Sequence, residues 1–470
     1  MPPKKSARSR EVPFGAHEES LPVAYAEAVP VNPNDEYSMR SGISSMNADM
    51  KAIKASSKGS KSDRDRERDR GEKSREGRPK LDRMPSLADT HPPKFGDSSR
   101  STSVTWPSSL LREVIGTFTR PIREKEAKKF VAKHNWSRGL QESLLTSCRK
   151  IPIRFFIVDD SGSMATNDGN RIIRTHTEDI DEGKGVSGKM KNHKAKMVQC
   201  TRWAELTESL NFLAELSEVA QAPSEFRLLN GADPVLVGVG NDDSEGLAFT
   251  KEVLEEDPAG QTPLCHHIKC VVAAIEKMAP EMRRLKKKAA VIICSDGESS
   301  DGKVSRALEP LRNLPALVVI RLCTDHEKIV DYWNNIDKEL ELEMDVIDDL
   351  VQDAKQVKAA NPWIVYGDEL HRLREFGAAF KEMDLIDETP LGSEQAMTFL
   401  KVLLNRKDLP HPQVDWNEFY EAVKRESDTQ NLIFDPLCGA FKHPVDMNAL
   451  KKAYGRGMTT DDASVACSIS

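Results

Sequence analysis

The feature that most constrains the fold is an alternation of short apolar runs with helical patterns between residues 151 and 377. Six runs have the length and composition of buried strands: 153–158, 226–229, 235–239, 289–294, 317–322 and 344–347. Apolar residues that recur at three- and four-residue steps predict helices over 203–216, 268–278, 304–311 and 350–357. This alternation predicts an α/β fold, with a doubly wound, mostly parallel six-stranded sheet and helices on both faces.

Hydroxyl and carboxylate side chains follow two of the predicted strands. The segment DDSGS begins at Asp159, directly after the first run, and supplies Ser161 and Ser163 in an Asp-x-Ser-x-Ser pattern. The segment GQTP adds the hydroxyl of Thr262, and SDG adds the carboxylate of Asp296 after the fourth run. Oxygen donors of this kind suit a small divalent cation such as Mg²⁺. Ligands of such folds bind beyond the carboxyl ends of the strands, where Asp159 and Asp296 both lie.

With these residues, the chain resembles a von Willebrand factor type A (VWA) domain that has a complete metal-ion-dependent adhesion site. The five positions of that site match Asp159, Ser161, Ser163, Thr262 and Asp296. The resemblance implies that the hydroxyls bind Mg²⁺ or Mn²⁺ directly, while the carboxylates act largely through water. It also implies an open coordination position for an Asp or Glu of a protein partner. Taken alone, DDSGS could equally be a polar turn after a strand.

Three hypotheses for the function follow. The first is a non-enzymatic binding module, in which the metal captures a partner's carboxylate and no small-molecule substrate is expected. The second is a metal-dependent hydrolase, which needs a general base, and Asp160 and Glu298 are the nearby candidates. The third is a scaffold with a non-functional metal site.

The first hundred residues differ in composition from the rest. Residues 1–100 are rich in Ser, Pro, Gly and charged residues, which predicts a disordered, low-complexity region. Residues 51–80 carry twelve Lys or Arg and six Asp or Glu, and the sign alternates in DRDRERDR. This pattern favours a solvated tract, with nuclear import or RNA association as the alternative. Because no aromatic residues interleave the charges, base stacking is not supported, and nucleic acid is not an expected partner.

The remaining segments are assigned by pattern. Residues 101–150 predict a helical lead-in, and residues 378–455 a small helical accessory region. The polar stretch 165–200 is interpreted as an inserted loop beside the metal site, either a lid or selectivity element or a tolerated surface insertion. It contains GKGVSGK, which matches GxxxxGK, but neither a preceding strand nor a following Ser or Thr supports a phosphate-binding loop.

The two termini bear on the compartment. The chain begins MPPKKSARSR and has no run of 18 apolar residues, so neither a secretory signal nor a transmembrane helix is expected. A cytoplasmic protein is predicted, with nuclear or reversible membrane association as alternatives. The tail, residues 456–470, is expected to be flexible and ends in CSIS, so that Cys467 fits a prenylation box. The eight cysteines show no disulfide or zinc framework.

Overall fold

The computed structural model describes residues 106–176, 193–231, 233–240, 245–340, 342–378 and 381–455. These residues all belong to one compact unit, residues 97–470. They form ten strands: β1 (Arg154–Val158), β2 (Gly169–His176), β3 (His193–Cys200), β4 (Ser224–Leu228), β5 (Val235–Val237), β6 (Ala289–Ser295), β7 (Ala316–Leu322), β8 (Met344–Ile347), β9 (Ile433–Asp435) and β10 (Ala440–Lys442).

The described residues also form fourteen α-helices. They are α1 (Ser108–Thr117), α2 (Glu124–Lys133), α3 (Arg138–Lys150), α4 (Arg202–Ala220), α5 (Glu245–Leu254), α6 (Leu264–Leu285), α7 (Val304–Leu308), α8 (Glu327–Leu340), α9 (Leu350–Ala360), α10 (Asp368–Glu375), α11 (Lys381–Leu385), α12 (Ser393–Leu403), α13 (Trp416–Asp428) and α14 (Met447–Tyr454). Among the described residues, no helix combines the length and the apolar sequence that a membrane span requires.

The main sheet has six strands in the order β5-β4-β1-β6-β7-β8. All neighbouring pairs are parallel except β4 and β5, which run antiparallel at one edge. Phe, Ile and Val make up most of β1, and Ala, Val and Ile most of β6, and both strands are buried along their whole length, as is typical of central parallel strands. The six-stranded, mostly parallel sheet predicted from the sequence is therefore confirmed.

Alternate residues of each strand enter two different apolar cores. Phe156 and Val158 of β1 belong to the larger core, which also contains residues of α2–α5 and α9–α14. Phe155 and Ile157 belong to the second core, together with residues of α1, α6, α7 and α8. This is the two-residue side-chain period of a β-strand, and both faces of the sheet are covered.

The predicted insertion begins and ends as an antiparallel ribbon. Strands β2 and β3 pair from Gly169 opposite Cys200 to His176 opposite His193. The expected polar loop is thus a two-stranded hairpin in its described part. Residues 177–192, which contain the GKGVSGK segment, lie outside the described residues, as do the predicted disordered region 1–100 and the tail with Cys467.

The segments that flank the sheet region pack against it. The lead-in forms three helices, α1 to α3, and residues 381–455 form four helices and the β9–β10 pair. Side chains of α12 to α14 share the larger core with Phe156 of the central strand. The C-terminal helices thereby complete the core on one face of the sheet.

Candidate metal centre

Three loops meet beyond the carboxyl ends of β1 and β6. The first follows β1, the second precedes α6, and the third follows β6. The amide of Gly162 in the first loop donates to the carbonyl oxygen of Gly260 in the second (3.3 Å). The amide of Ser300 in the third loop donates to the carbonyl oxygen of Thr262 in the second (2.8 Å). The second loop is therefore fastened to both of the others through the backbone.

Asp159 is fully buried at the end of β1. One carboxylate oxygen accepts a hydrogen bond from the amide of Ser161 (3.0 Å), and the other accepts one from the hydroxyl of Ser295 (2.6 Å). Burial raises the pKa of Asp159, and the hydrogen bonds from Ser161 and Ser295 oppose that rise. The carboxylate is thus held in a fixed orientation, in an environment where a nearby cation would stabilise its ionised form.

A chain of side-chain hydrogen bonds joins the first loop to the third. A short 3₁₀ helix, Gly162–Ala165, turns the backbone so that the hydroxyls of Ser161 and Ser163 lie 3.0 Å apart. The Ser163 hydroxyl in turn donates to one oxygen of Asp296 (2.9 Å). Ser161 and Asp296, at the two ends of this chain, are buried, and Ser163 between them is exposed to solvent.

A separate network holds the second loop in place. Asp160 accepts hydrogen bonds from both the amide and the side-chain nitrogen of Asn230 (2.9 Å each). The Asn230 side chain also bonds the backbone of Gln261 in both directions, at 2.7 and 3.2 Å. Gly260 has a φ of +102°, and a Cβ at this position would lie 2.5 Å from Asn230 Oδ1, so the loop requires glycine here.

Thr262 lies in the second loop, and its carbonyl oxygen accepts a hydrogen bond from the third loop. Its side chain is half-buried, and among the described residues no hydrogen bond joins its hydroxyl to Asp159, Ser161, Ser163 or Asp296. The following helix is capped by Asp301, whose oxygens accept from the amides of Cys265 and His266 (2.8 Å each). Four of the five predicted residues therefore make direct hydrogen-bonded contact within the site, and the fifth lies in the adjoining loop.

Arg202 is a member of the site that the sequence did not reveal. Its guanidinium donates to the second oxygen of Asp296 (2.7 Å) and forms a bidentate pair with Asp168 (2.7 and 2.6 Å). The hydrogen bond from Arg202 lowers the pKa of Asp168. Asp168 directly precedes β2 and Arg202 begins α4 after β3, so the two ends of the inserted hairpin meet at Asp296.

The two candidate bases occupy different environments. The carboxylate of Asp160 accepts two hydrogen bonds from Asn230, and burial raises the pKa of Asp160. Glu298 is exposed on the third loop, two residues after Asp296. Asp160 therefore has a positioning contact with the second loop, away from the Ser161–Ser163–Asp296 chain.

The donor set fits a small, hard cation. Among the described residues no group of three or more His, Cys, Asp or Glu is arranged to hold a metal ion. The candidate centre instead combines two carboxylates with neutral hydroxyls. Neighbouring ligands in an octahedral Mg²⁺ site with bonds of 2.0–2.1 Å are about 2.9 Å apart. The Ser161–Ser163 and Ser163–Asp296 oxygen pairs, at 3.0 and 2.9 Å, already have this spacing.

Compared with known proteins, the sequence matches no protein-family model and no curated protein. The resemblance to VWA domains therefore rests on the sequence motifs alone.

Proposed function

We propose that this chain contains a VWA-type domain that binds a divalent cation, Mg²⁺ or Mn²⁺, and uses it to capture a carboxylate of a protein partner. Asp159, Ser161, Ser163, Thr262 and Asp296 would hold the cation. The observation that carries the proposal is the continuous contact of Ser161, Ser163 and Asp296 between the ends of β1 and β6.

The strand order supports this placement. Counted along the chain without the β2–β3 hairpin, the six strands of the sheet have the order 3-2-1-4-5-6. This is an order found in doubly wound folds, in which ligands bind at the point where the strand order reverses. In this chain that point lies between β1 and β6, where Asp159 and Asp296 end their strands.

The charges of the site favour capture of an anion. Three of the five proposed donors are neutral hydroxyls, and the ion pair with Arg202 partly neutralises the negative charge of Asp296. A bound cation would therefore keep part of its positive charge, which attracts a carboxylate at an open coordination position. Ser163 is exposed, so a partner can approach from solvent on this side.

Binding fits the geometry better than hydrolysis does. A hydrolase needs a base within hydrogen-bond reach of a metal-bound water. Asp160 is engaged by Asn230, and Glu298 is exposed on its loop. For the compartment, the sequence favours the cytoplasm. The alternatives are nuclear localisation and reversible membrane association through a farnesyl group on Cys467.

Metal affinity tests the proposed site directly. Asp159→Asn removes one negative charge and keeps the size of the buried side chain. We expect Mn²⁺ affinity, measured by electron paramagnetic resonance with Mg²⁺ as competitor, to fall about 10- to 100-fold, as for other residues that orient metal ligands through water. Glu298→Gln removes a carboxylate from the neighbouring loop and should leave the affinity unchanged. Equal affinity of wild type and Asp159→Asn at equal thermal stability would refute the site.

Partner capture tests the function. The full chain is used as bait in cell lysate with Mg²⁺ or with EDTA, and the bound proteins are quantified by mass spectrometry. Partners retained in Mg²⁺, lost in EDTA and lost in Asp159→Asn are the expected result. A partner list that is the same in all three conditions would favour the scaffold hypothesis.

A further inference from the structure

A second site lies at the opposite end of the sheet. A cavity of about 720 Å³ opens beside the amino-terminal ends of the central strands. Ile151 and Lys288, which precede β1 and β6, line it together with Leu317 near the start of β7. Residues of α3 and α12 close the other walls. This volume lies in the range of small-molecule sites in proteins.

The wall of the cavity is basic. Six cationic side chains line it, against the two carboxylates Glu142 and Glu343: Lys150, Lys286, Lys288, Lys401, Arg406 and Lys407. Each carboxylate already has a lysine partner, since Glu142 pairs with Lys128 and Glu343 with Lys288. Arg406 pairs with Asp408 and Glu426. Within the described residues, the four remaining lysines, Lys150, Lys286, Lys401 and Lys407, make no ion pair.

Helix capping does not account for these four lysines. Helices α3, α6, α10 and α12 all end near the cavity, and lysines are favourable at the negative ends of helix dipoles. The terminal carbonyl groups, however, have other donors. The backbone caps α6 through the amides of Lys286 and Lys287 (3.1 and 2.9 Å) and α12 through those of Asn405 and Arg406 (3.1 and 2.9 Å). No ammonium group of the four lysines donates a hydrogen bond within the described residues.

A buried arginine adds to the positive charge behind the wall. Arg154 is fully buried and makes no ion pair in the described part of the chain. Its guanidinium donates to the carbonyl oxygens of Phe376 (2.9 Å) and Ile151 (3.3 Å) at the ends of α10 and α3. It also donates to the hydroxyl of Ser147 (3.1 Å), a residue that lines the cavity. Because solvent screens a buried charge only weakly, the positive charge of Arg154 contributes to the potential in the cavity, from which the Ser147 side chain separates it.

We propose that this cavity binds a small polyanion that carries several phosphate groups. Four lysines without carboxylate partners supply mobile ammonium donors, which bind phosphate as point charges. The apolar side chains of Ile151 and Leu317 form the floor nearest the sheet. The site is independent of the proposed metal centre, because the two lie at opposite ends of the strands.

Binding of tripolyphosphate to the full chain tests the site. Calorimetric titrations are run in EDTA at constant ionic strength, so that neither the metal centre nor bulk screening contributes. The test variant is Lys286→Gly with Lys401→Gln. Lys286 has a φ of +54°, which glycine adopts readily, so Lys286→Gly removes a charge without adding backbone strain. The control, Lys277→Gln with Lys338→Gln, removes two exposed helical lysines away from the cavity.

We expect wild type and the control to bind one tripolyphosphate per chain, and the test variant to bind at least about tenfold more weakly, because two charge-assisted contacts are lost.

The phosphate groups could belong to a soluble ligand or to a lipid headgroup. Vesicles that contain phosphatidylinositol bisphosphate distinguish the two sources. If the protein sediments with these vesicles and the test variant does not, the ligand is a lipid headgroup. If the protein binds tripolyphosphate but not the vesicles, the ligand is soluble. Absence of binding to either probe, or equal binding by the test variant and the control, would overturn the proposal.

Discussion

At Asp296, Arg202 and a bound cation would share one carboxylate. Arg202 donates to one oxygen of Asp296 and Ser163 to the other, so the arginine leaves the second oxygen available to the metal side of the site. Its charge repels a divalent cation, while its hydrogen bond holds Asp296 in place. The repulsion and the positioning therefore act on metal affinity in opposite directions.

Replacement of Arg202 by Gln tests which of the two effects dominates. Gln has no charge, and its side-chain nitrogen ends at the level of the Arg202 Nε atom, which bonds Asp168, so the hydrogen bond to Asp296 is lost together with the charge. Because the repulsion between like charges is removed, we expect Mg²⁺ affinity to rise about tenfold at low salt, with a smaller gain at 0.5 M salt. The measurement is Mg²⁺ titration calorimetry at the two salt concentrations. Arg171→Gln, on the exposed part of β2, is the control for net charge. Weaker binding by Arg202→Gln would show that positioning dominates.

The residues of the candidate centre differ in how well sequence predicts them. Asp159, Ser161 and Ser163 lie within five residues after a strongly apolar run, so their position at a strand end was predictable. Arg202 was not, because its partners are 34 and 94 residues away and nothing in the local sequence marks the pairing. The contact depends on the hairpin between β2 and β3, which returns the chain to the same loop.

Helix α10 is the element that departs most from the usual distribution of charge. Its sequence, DELHRLRE, is charged at five of eight positions if histidine is left out, yet every residue is buried. Arg374 pairs with Asp345, Asp353 and Asp387, and Glu375 pairs with Arg321 of β7. Paired charges of this kind are costly to break, because removal of one partner leaves the other buried without compensation.

His371 of α10 makes the stability of this network dependent on pH. Burial lowers the pKa of His371, but Glu375 and Asp353 outweigh that effect and raise it to about 9. Tyr366, Arg374 and Arg321 also lie beside this network. A pKa above the unfolded value of about 6.5 means that protonated His371 stabilises the fold fully below pH 6.5, and that this contribution is lost as the pH rises through about 9.

Urea unfolding between pH 6 and pH 10 measures this contribution. The free energy of unfolding of wild type relative to His371→Gln should be largest at pH 6 and should decrease by on the order of 3 kcal/mol by pH 10. Exposed His326 provides the control, since His326→Gln should show no such dependence. A difference between wild type and His371→Gln that stays constant with pH would mean that His371 is neutral in the folded protein.

Helices and strands were predictable from the sequence where their buried residues are apolar and regularly spaced. The six sheet strands and the helices α4, α6, α7 and α9 correspond to the patterns in the sequence, because each buries a regular apolar face. Helix α10 was missed because most of its residues are charged, and their burial depends on ion pairs with β7, α9 and β8. The β2–β3 hairpin was missed because its polar sequence is typical of a loop.

At the scale of the whole molecule, the larger core crosses the boundary that the sequence pattern predicted at residue 378. Leu400 of α12 and Phe419 of α13 are buried in the same core as Phe156 of the central strand and Leu144 of α3. Gly139 of α3 lies so close to α12 that a Cβ there would be 2.0 Å from the carbonyl oxygen of Val402. Local periodicity predicts that such helices exist, but it does not tell which core they join.

A shared core implies that the sheet and the C-terminal helices unfold together. Leu400→Ala removes a fully buried side chain and should lower the free energy of unfolding by about 2–5 kcal/mol. Hydrogen exchange followed by mass spectrometry then reports where protection is lost. If the core is cooperative, peptides from β1 and β6 lose as much protection as peptides from α12 and α13. Val414→Ala, at a position 83% exposed, should change neither set. Loss confined to residues 381–455 would instead show that this region is a separate folding unit, resting on the sheet without supporting the strands that carry Asp159 and Asp296.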